Sequence, residues 1–362
     1  MLSIRSKNMS LRSGIAMTTA RASASVKRRQ RASTSTKMLS SLSDVSTSER
    51  TTSGSRQSIA SEIEPRVVVS SGEARVVTDP PGGIAWLESM PRGAYTTART
   101  TGGGRCVFEL GFHLQRLVDS SLLMDLRVDG DALKQRVMET LRRGVEAYLR
   151  KMPSHGDSAD ADDSSSTDDR ELKLTVLVCD ARDVHVHVSP LGPRKAPGPV
   201  RVEIRGAPRA NAAAKDSEWV TERKKLAKPD DVNELVLEAS GALYEGLSSN
   251  FFALMDGTLY TAGDHVLMGS VRESVLRQAA SLGIPVILDA PRLDDLPRWE
   301  AAFVSSTSRM LLPVDELTVR RGGDGGDDEC ITRTFDHAPD ARARALEAAV
   351  KTDILSSSER IF

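Results

Sequence analysis

The sequence predicts a mixed α+β chain in two lobes behind a leader. Three observations carry this. Short runs of β-branched and aliphatic residues recur from residue 66 to 304, and several stretches repeat apolar residues at helical spacing. Four prolines, Pro190, Pro193, Pro197 and Pro199, then interrupt the pattern and mark a boundary between lobes. The chain has 362 residues, enough for two domains of ordinary size once a leader is set aside.

The leader differs in composition from everything after it. No Asp or Glu occurs from Met1 to Ser43, while Arg5, Lys7, Arg12, Arg21, Lys27, Arg28, Arg29, Arg31 and Lys37 lie among Ser, Thr and Ala. An Arg- and Ser-rich, acid-free stretch without an apolar core is the composition of an organellar transit peptide. Residues 1–63 are therefore read as a disordered leader directing the protein to a plastid or mitochondrion. The alternatives are an ordinary disordered tail on a cytoplasmic protein, or a short nuclear or RNA-binding signal at Lys27-Arg28-Arg29-Gln30-Arg31.

Residues 64–193 are expected to form a small α+β domain. Arg66 to Val69 and Ala74 to Thr78 read as strands, as do Tyr95 to Arg99 and Cys106 to Leu110, with Gly102-Gly103-Gly104 turning between the latter two. Leu114, Leu117, Val118 and Leu122 share a face of one helix; Leu133, Val137, Leu141 and Tyr148 share a face of the next. The Ser/Asp run 157–169 can bury nothing and reads as a loop. Leu172 to Val178 and Val184 to Val188 return to strand.

Residues 194–362 are expected to form a larger α+β domain. Strands are read at Val200 to Ile204, Glu234 to Leu237, Phe251 to Leu254, Thr258 to Thr261 and Ala301 to Val304. Helices are read through Trp219 to Leu226, from Val271 to Leu282 before Gly283, and from an N-cap at Asp340 through Leu346, Val350 and Ile354. No segment is apolar for long enough to span a bilayer, so a soluble protein without a membrane partner is expected. A formal net charge of -1 gives no pull toward nucleic acid. Cys106, Cys179 and Cys330 lie far apart without a CxxC pair, which argues against a disulfide framework or a zinc site.

Three segments point to chemistry. Gly269-Ser270-Val271-Arg272 opens a helix whose free N–H groups and positive end suit a phosphate. Ser305-Ser306-Thr307-Ser308-Arg309 is a hydroxyl-rich loop after an apolar strand, able to grip phosphate or carboxylate oxygens. Each alone is better explained by a plain helix cap or a polar turn. The third segment, Glu245-Gly246-Leu247-Ser248-Ser249-Asn250-Phe251-Phe252, closely resembles the Glu-Gly-x-x-x-Asn-x-Phe signature of the class IV aminotransferases. The resemblance continues in order through Leu267 to Arg272, Gly283 to Val286 and Phe303 to Ser308. Upstream it takes in Arg92-Gly93-Ala94-Tyr95 and Phe112 to Leu117.

The resemblance implies a two-domain fold of pyridoxal 5'-phosphate (PLP) fold type IV, of the D-amino acid aminotransferase kind, usually a homodimer. It implies transfer of an amino group between an amino acid and a 2-oxo acid. Lys215 stands where the family's catalytic lysine stands and would carry PLP as a Schiff base; its Lys-Asp-Ser-Glu-Trp context resembles a plant- and fungal-like branch. Lys224, Lys225 and Lys228 are the competing candidates. Glu245 would pair with the pyridine nitrogen, and Arg116 would bind the phosphate with Ser270, Val271, Ser306 and Thr307. Tyr95 would line the cofactor, and Tyr95 and Ser308 would meet the substrate. Where the family often supplies a Thr hydroxyl at the helix start, this chain has Val271 and can offer only an N–H.

Other residues receive plainer readings. Asn250 shapes the turn beneath Glu245, Arg272 braces a loop or pairs with an acid, and His113 packs under the Arg116 helix. His185 and His187 share a strand face at a metal-ligand spacing, but nothing near them in sequence completes a site, so no metal is expected. Two other functions remain open at this point: a PLP-dependent lyase of the aminodeoxychorismate lyase type, and a non-enzymatic relative kept as a binding module.

Overall fold

The computed structural model describes residues 66–70, 73–77, 81–151, 171–194, 198–321, 329–336 and 341–362. The leader 1–63, the Ser/Asp loop 157–169 and the expected N-cap Asp340 lie outside the described residues. In chain order the first part holds strands β1 (Arg66–Ser70) and β2 (Glu73–Val77), helix α1 (Gly83–Ser89), and strands β3 (Ala94–Thr101) and β4 (Cys106–Phe108). Helices α2 (Leu110–Leu123) and α3 (Gly130–Lys151) follow, then strands β5 (Leu172–Val178) and β6 (Val184–Pro190). Gly102, Gly103 and Gly104 take φ of 58, 65 and 85° between β3 and β4. A side chain would resist that left-handed region, so the triple glycine makes the expected turn.

The second part opens with β7 (Arg201–Ile204), helix α4 (Glu218–Glu222) and a 3₁₀ turn over Arg223–Leu226. Next come β8 (Glu234–Ala239), β9 (Ala242–Gly246), β10 (Asn250–Met255) and β11 (Thr258–Tyr260), then helix α5 (Ser270–Ser281) and β12 (Val286–Ile287). Strands β13 (Trp299–Ser306), β14 (Met310–Pro313), β15 (Glu316–Arg321) and β16 (Glu329–Thr334) precede helix α6 (Ala341–Ser356) and β17 (Ser358–Arg360).

Two sheets organise these elements. The first is antiparallel in the order β17-β4-β3-β5-β6-β1-β2. Val67, Leu174, Val176, Val186 and Val188 on one of its faces pack against Leu117, Val137, Leu141 and Tyr148 of α2 and α3. The helical and strand periodicities read from the sequence meet at this core. The other face of β3 and β5 turns Tyr95, Thr97, Lys173 and Thr175 toward a cleft.

The second sheet runs β12-β11-β10-β9-β8-β7-β15-β16, with β13 and β14 joined through β10. Its apolar layers include Phe251 and Trp299 on one side and Phe252, Phe303, Val275, Leu346 and Val350 on the other. Because β13 lies between β10 and β14 and is covered on both faces, it runs two residues past each end of the expected Ala301 to Val304 segment.

Several elements depart from the sequence expectation: β9, β14, β15 and β16 were not among the expected strands, and three further departures have local causes. The helix expected through Trp219 to Leu226 divides into α4 and a 3₁₀ turn, which ends at Ala227 in the left-handed region (φ 45°) shortly before Pro229. Helix α1 was not foreseen, because the Pro80-Pro81-Gly82-Gly83 run reads as turn punctuation; the helix is held by burial of Trp86 and Leu87. The last strand, β17, leaves the second part of the chain and pairs with β4 in the first sheet. Among the described residues, no helix is long and apolar enough to cross a membrane.

Gly93 is where the first sheet meets the segment carrying Lys215. A Cβ there would lie 2.3 Å from the Val178 carbonyl oxygen, a backbone atom with no freedom to yield. Gly93→Ala is expected to destabilise the protein by about 1–3 kcal/mol. Urea denaturation measures this, and an unchanged midpoint would show that the contact relaxes.

Candidate active site

Residues from both sheets line a cleft of about 360 Å³, a size suited to a small organic ligand. Tyr95, Arg116, Lys215, Glu245, Ser270, Val271, Ser306, Thr307 and Ser308, all singled out from the sequence, reach it together. Lys224, Lys225 and Lys228 do not line it. Lys224 pairs with Glu88 at 2.5 Å, and all three are exposed.

Lys215 lies in the loop between β7 and α4, and its backbone is tied to the start of β3. The Tyr95 N–H donates to the Lys215 carbonyl at 2.8 Å, and Ser217 N–H donates to the Gly93 carbonyl at 3.0 Å. The Lys215 N–H donates to Ser120 Oγ at 3.1 Å. Asp216, next in line, pairs with Arg92 at 2.5 Å. With the main chain held from three sides, the side chain extends into the cleft and its Nζ lies 4.6 Å from the Tyr95 ring centroid. Burial holds the Lys215 amine well below the ordinary lysine range; Arg116, Arg209 and Arg223 push it the same way, and Glu245 alone opposes them.

Arg116 is buried on α2. Its Nη2 donates to Thr96 Oγ1 at 2.6 Å and lies 3.1 Å from His113 Nδ1; Nη1 donates to the Met268 carbonyl at 3.4 Å. These acceptors are all neutral. Among the described residues no carboxylate pairs with Arg116, and its buried Nε has no hydrogen-bond partner. Burial lowers the guanidinium to about 10, so it remains a cation at neutral pH. His113 stays neutral beside it, held well below the ordinary histidine value by burial and by the Arg116 and Lys215 charges.

Glu245, on β9, is buried. Its Oε1 accepts from Arg209 Nε and Nη2 at 2.9 and 2.8 Å, and its Oε2 accepts from the Leu267 N–H at 2.9 Å. Burial raises the carboxyl above its ordinary range, and Arg209, the Leu267 N–H and Lys215 offset only part of that rise. Each oxygen retains lone-pair capacity toward the cleft. Breaking a buried pair of this kind by removing one partner costs about 3–5 kcal/mol. Arg209 was not foreseen: it lies in an irregular loop with no motif around it, and only the fold brings it to Glu245.

The anion-binding end is built from two turns. Helix α5 begins at Ser270 without a side-chain cap, so its first N–H groups have no intrahelical acceptor. Gly269 is required there, because a Cβ would sit 2.3 Å from Asn250 Oδ1. Asn250 in turn donates to the Leu267 carbonyl at 2.7 Å, which matches the role read for it beneath Glu245. In the second turn, Ser306 Oγ accepts from Arg309, and the buried Ser305 Oγ has no partner. Thr307 Oγ1 donates to the Thr97 carbonyl at 3.0 Å, so its hydroxyl proton straps the turn to β3 and is not free for a ligand. Arg272 donates to the Ala262 carbonyl at 3.0 Å and lies 3.5 Å from Glu273, the bracing role expected of it.

Further cations line the cleft without having been foreseen. Lys173 on β5 is half-buried and pushed down by burial and by Arg223. Arg223 donates to the Leu247 carbonyl at 3.1 Å. Arg309 pairs with the buried Glu234, whose carboxyl burial pushes up but Arg309, Ser249 and Ser248 together pull down.

A family model for class IV amino-transferases matches residues 93–317. A branched-chain-amino-acid aminotransferase of Pseudomonas aeruginosa is 23% identical over 245 residues, covering 63% of this chain and 76% of its own. A protein of Methanocaldococcus jannaschii, provisionally named a branched-chain-amino-acid aminotransferase, is 28% identical over 225 residues, 59% of this chain and 75% of its own. Among solved structures, the branched-chain aminotransferase of Thermoproteus uzoniensis with norvaline superposes with a TM-score of 0.59 at 18% identity, covering 82% of this chain and 100% of that one. The PLP-bound form of a hypothetical aminotransferase from Mycobacterium tuberculosis gives 0.58 at 20%, covering 80% and 99%. At these identities the solved structures speak for the fold, and the fold is shared.

The charge around Lys215 has a measurable consequence. In the cofactor-free protein, an amine-directed acylating reagent is expected to label Lys215 at lower pH than the exposed Lys224. Arg116→Gln removes a cation that disfavours the protonated amine, so the Lys215 labelling profile should move to higher pH. Peptide mapping across a pH series reads both; coincident profiles for Lys215 and Lys224 would refute the lowered value.

Proposed function

The chain belongs to the class IV aminotransferases, and from that membership we propose that it uses PLP held in this cleft, with Lys215 as its catalytic amine. As a member of that family it is a transaminase, moving an amino group between an amino acid and a 2-oxo acid. The observation that carries the cofactor reading is the charge of the cleft. Among the described residues Arg116 faces it without a carboxylate partner, and the carboxylate of Glu245 is already matched by Arg209. A phosphorylated, anionic ligand complements that surplus.

The residues present fit PLP. Arg116, the N–H groups of Ser270 and Val271, and the Ser306–Thr307 turn would hold its phosphate, and Glu245 is the anion available to its ring nitrogen. When bound, PLP supplies an aldehyde that captures an amine and a ring that accepts the charge left at the substrate α-carbon. The Lys215 amine, favoured in its neutral form by burial and nearby cations, would carry a proton from that α-carbon to the cofactor. Tyr95 packs against the same amine, with its ring centroid 4.6 Å from Nζ. Lys173 and Arg223, with Tyr95 and Ser308, stand on the cleft wall where a substrate carboxylate would meet positive charge.

Two experiments test this reading. Borohydride reduction with PLP, followed by peptide mapping, should place the label on Lys215; a label on Lys224 or Lys228 would overturn the assignment. Lys215→Ala should abolish turnover with the fold intact, and Glu245→Gln should slow it by about 10²-fold or more. For the substrate wall, Lys173→Met should raise KM for the amino donor more than it lowers kcat. An unchanged KM would remove Lys173 from substrate binding.

A further inference from the structure

Away from the cleft, the turn joining β5 to β6 gathers three side chains able to hold a metal. Cys179 follows β5, Asp183 precedes β6 and His185 lies within it. One donor atom from each lies within 4.8 Å of the others. The turn is held by backbone contacts: Asp180 Oδ1 accepts from the N–H groups of Arg182 and Asp183 at 2.7 and 2.9 Å, and the Cys179 N–H donates to the Asp183 carbonyl at 3.1 Å. The three donors are therefore brought together by the hairpin and do not depend on long flexible side chains.

His185 supplies the second, independent observation. Its side chain is 9% exposed, and its Nδ1 lies 2.9 Å from Ser70 Oγ on the neighbouring strand β1. A hydrogen bond on one ring nitrogen fixes the direction of the other, as it does for metal-ligating histidines. That other nitrogen, Nε2, is buried and has no hydrogen-bond partner among the described residues, although Asp183 Oδ1 is 2.9 Å away. The contact has the proximity of an ion pair without the alignment of a hydrogen bond. The buried ring nitrogen thus stands beside a carboxylate and a thiol, whose Sγ lies 3.6 Å from the Pro91 carbonyl, in a set of donors that a cation could bridge.

We propose that Cys179, Asp183 and His185 form a binding site for a divalent cation of the zinc class, with a fourth position open to water. Sulfur, imidazole nitrogen and carboxylate together suit zinc and its borderline neighbours, whereas calcium and magnesium take oxygen-only sets. The histidine pair visible in the sequence is not the site. His187 Nε2 lies 3.4 Å from the Pro81 carbonyl, and its ring packs against Trp86. Binding exchanges the Cys179 S–H bond for a sulfur–metal bond and releases one proton to solvent.

The proposal does not depend on the cofactor reading and is tested separately from it. The full chain is stripped with a chelator and titrated with Co²⁺. One equivalent should produce the visible and near-ultraviolet absorption of a thiolate-bound, four-coordinate Co²⁺, and Zn²⁺ should displace it. A Cys106→Ser, Cys330→Ser double variant should retain the signal, and Cys179→Ser should lose it. Asp183→Asn and His185→Gln should each weaken binding at least tenfold while the far-ultraviolet circular dichroism of the parent persists. Absence of a thiolate signal at saturating Co²⁺, or its survival in Cys179→Ser, would overturn the site.

Discussion

Arg116, Arg209 and Lys215 converge on one cleft; of the carboxylates that line it, Arg209 already grips Glu245 and Arg92 grips Asp216. Burying a cation without a partner is costly, and a chain selected for stability alone would remove it. The fold instead surrounds Arg116 with neutral acceptors: the Thr96 hydroxyl, the His113 ring and the Met268 carbonyl. His113 can serve only because burial and the adjacent cations keep it unprotonated. The positive charge is thus tolerated, not cancelled. That surplus sets the chemistry of Lys215 and leaves the phosphate end ready for an anion.

Strand β3 makes this arrangement rigid. Its Tyr95 N–H holds the Lys215 carbonyl, Thr96 orients Arg116, and the Thr97 carbonyl accepts the Thr307 hydroxyl. One strand therefore joins the amine, the guanidinium and the second phosphate turn. Gly93 and Gly269 serve the same purpose by absence. At each, a side chain would drive into the Val178 carbonyl or the Asn250 amide, and the two segments could not approach.

Much of this was legible in the sequence, for reasons that can be named. The apolar spacing of Leu114 to Leu122 and of Leu133 to Tyr148 requires helices with one buried face, and α2 and α3 have them. Lys215 could be separated from Lys224, Lys225 and Lys228 because those sit in a charged run suited to solvent, where the structure places them. Arg209, Lys173 and Arg223 could not be found this way. Their roles depend on which distant element they meet, and neither periodicity nor local composition encodes that. Cys179 was hidden for the same reason: in sequence the eye pairs His185 with His187, while the hairpin turn pairs it with a thiol.

Strand β5 shows where the border of legibility lies. Leu172-Lys173-Leu174-Thr175-Val176 alternates, which says that one face is apolar and the other is not. Alternation alone reads Lys173 and Thr175 as facing bulk water. The residues paired with them decide otherwise: Thr97 lies opposite Thr175, and Arg99 opposite Lys173. Two adjacent strands presenting polar side chains on the same face would be wasteful on an open surface, because solvent demands no such match. Here that face is closed over by the second sheet's loops, and its polar groups line the cleft with Lys215. A polar stripe shared across paired strands is therefore better evidence for a ligand-facing wall than the alternation of any one of them.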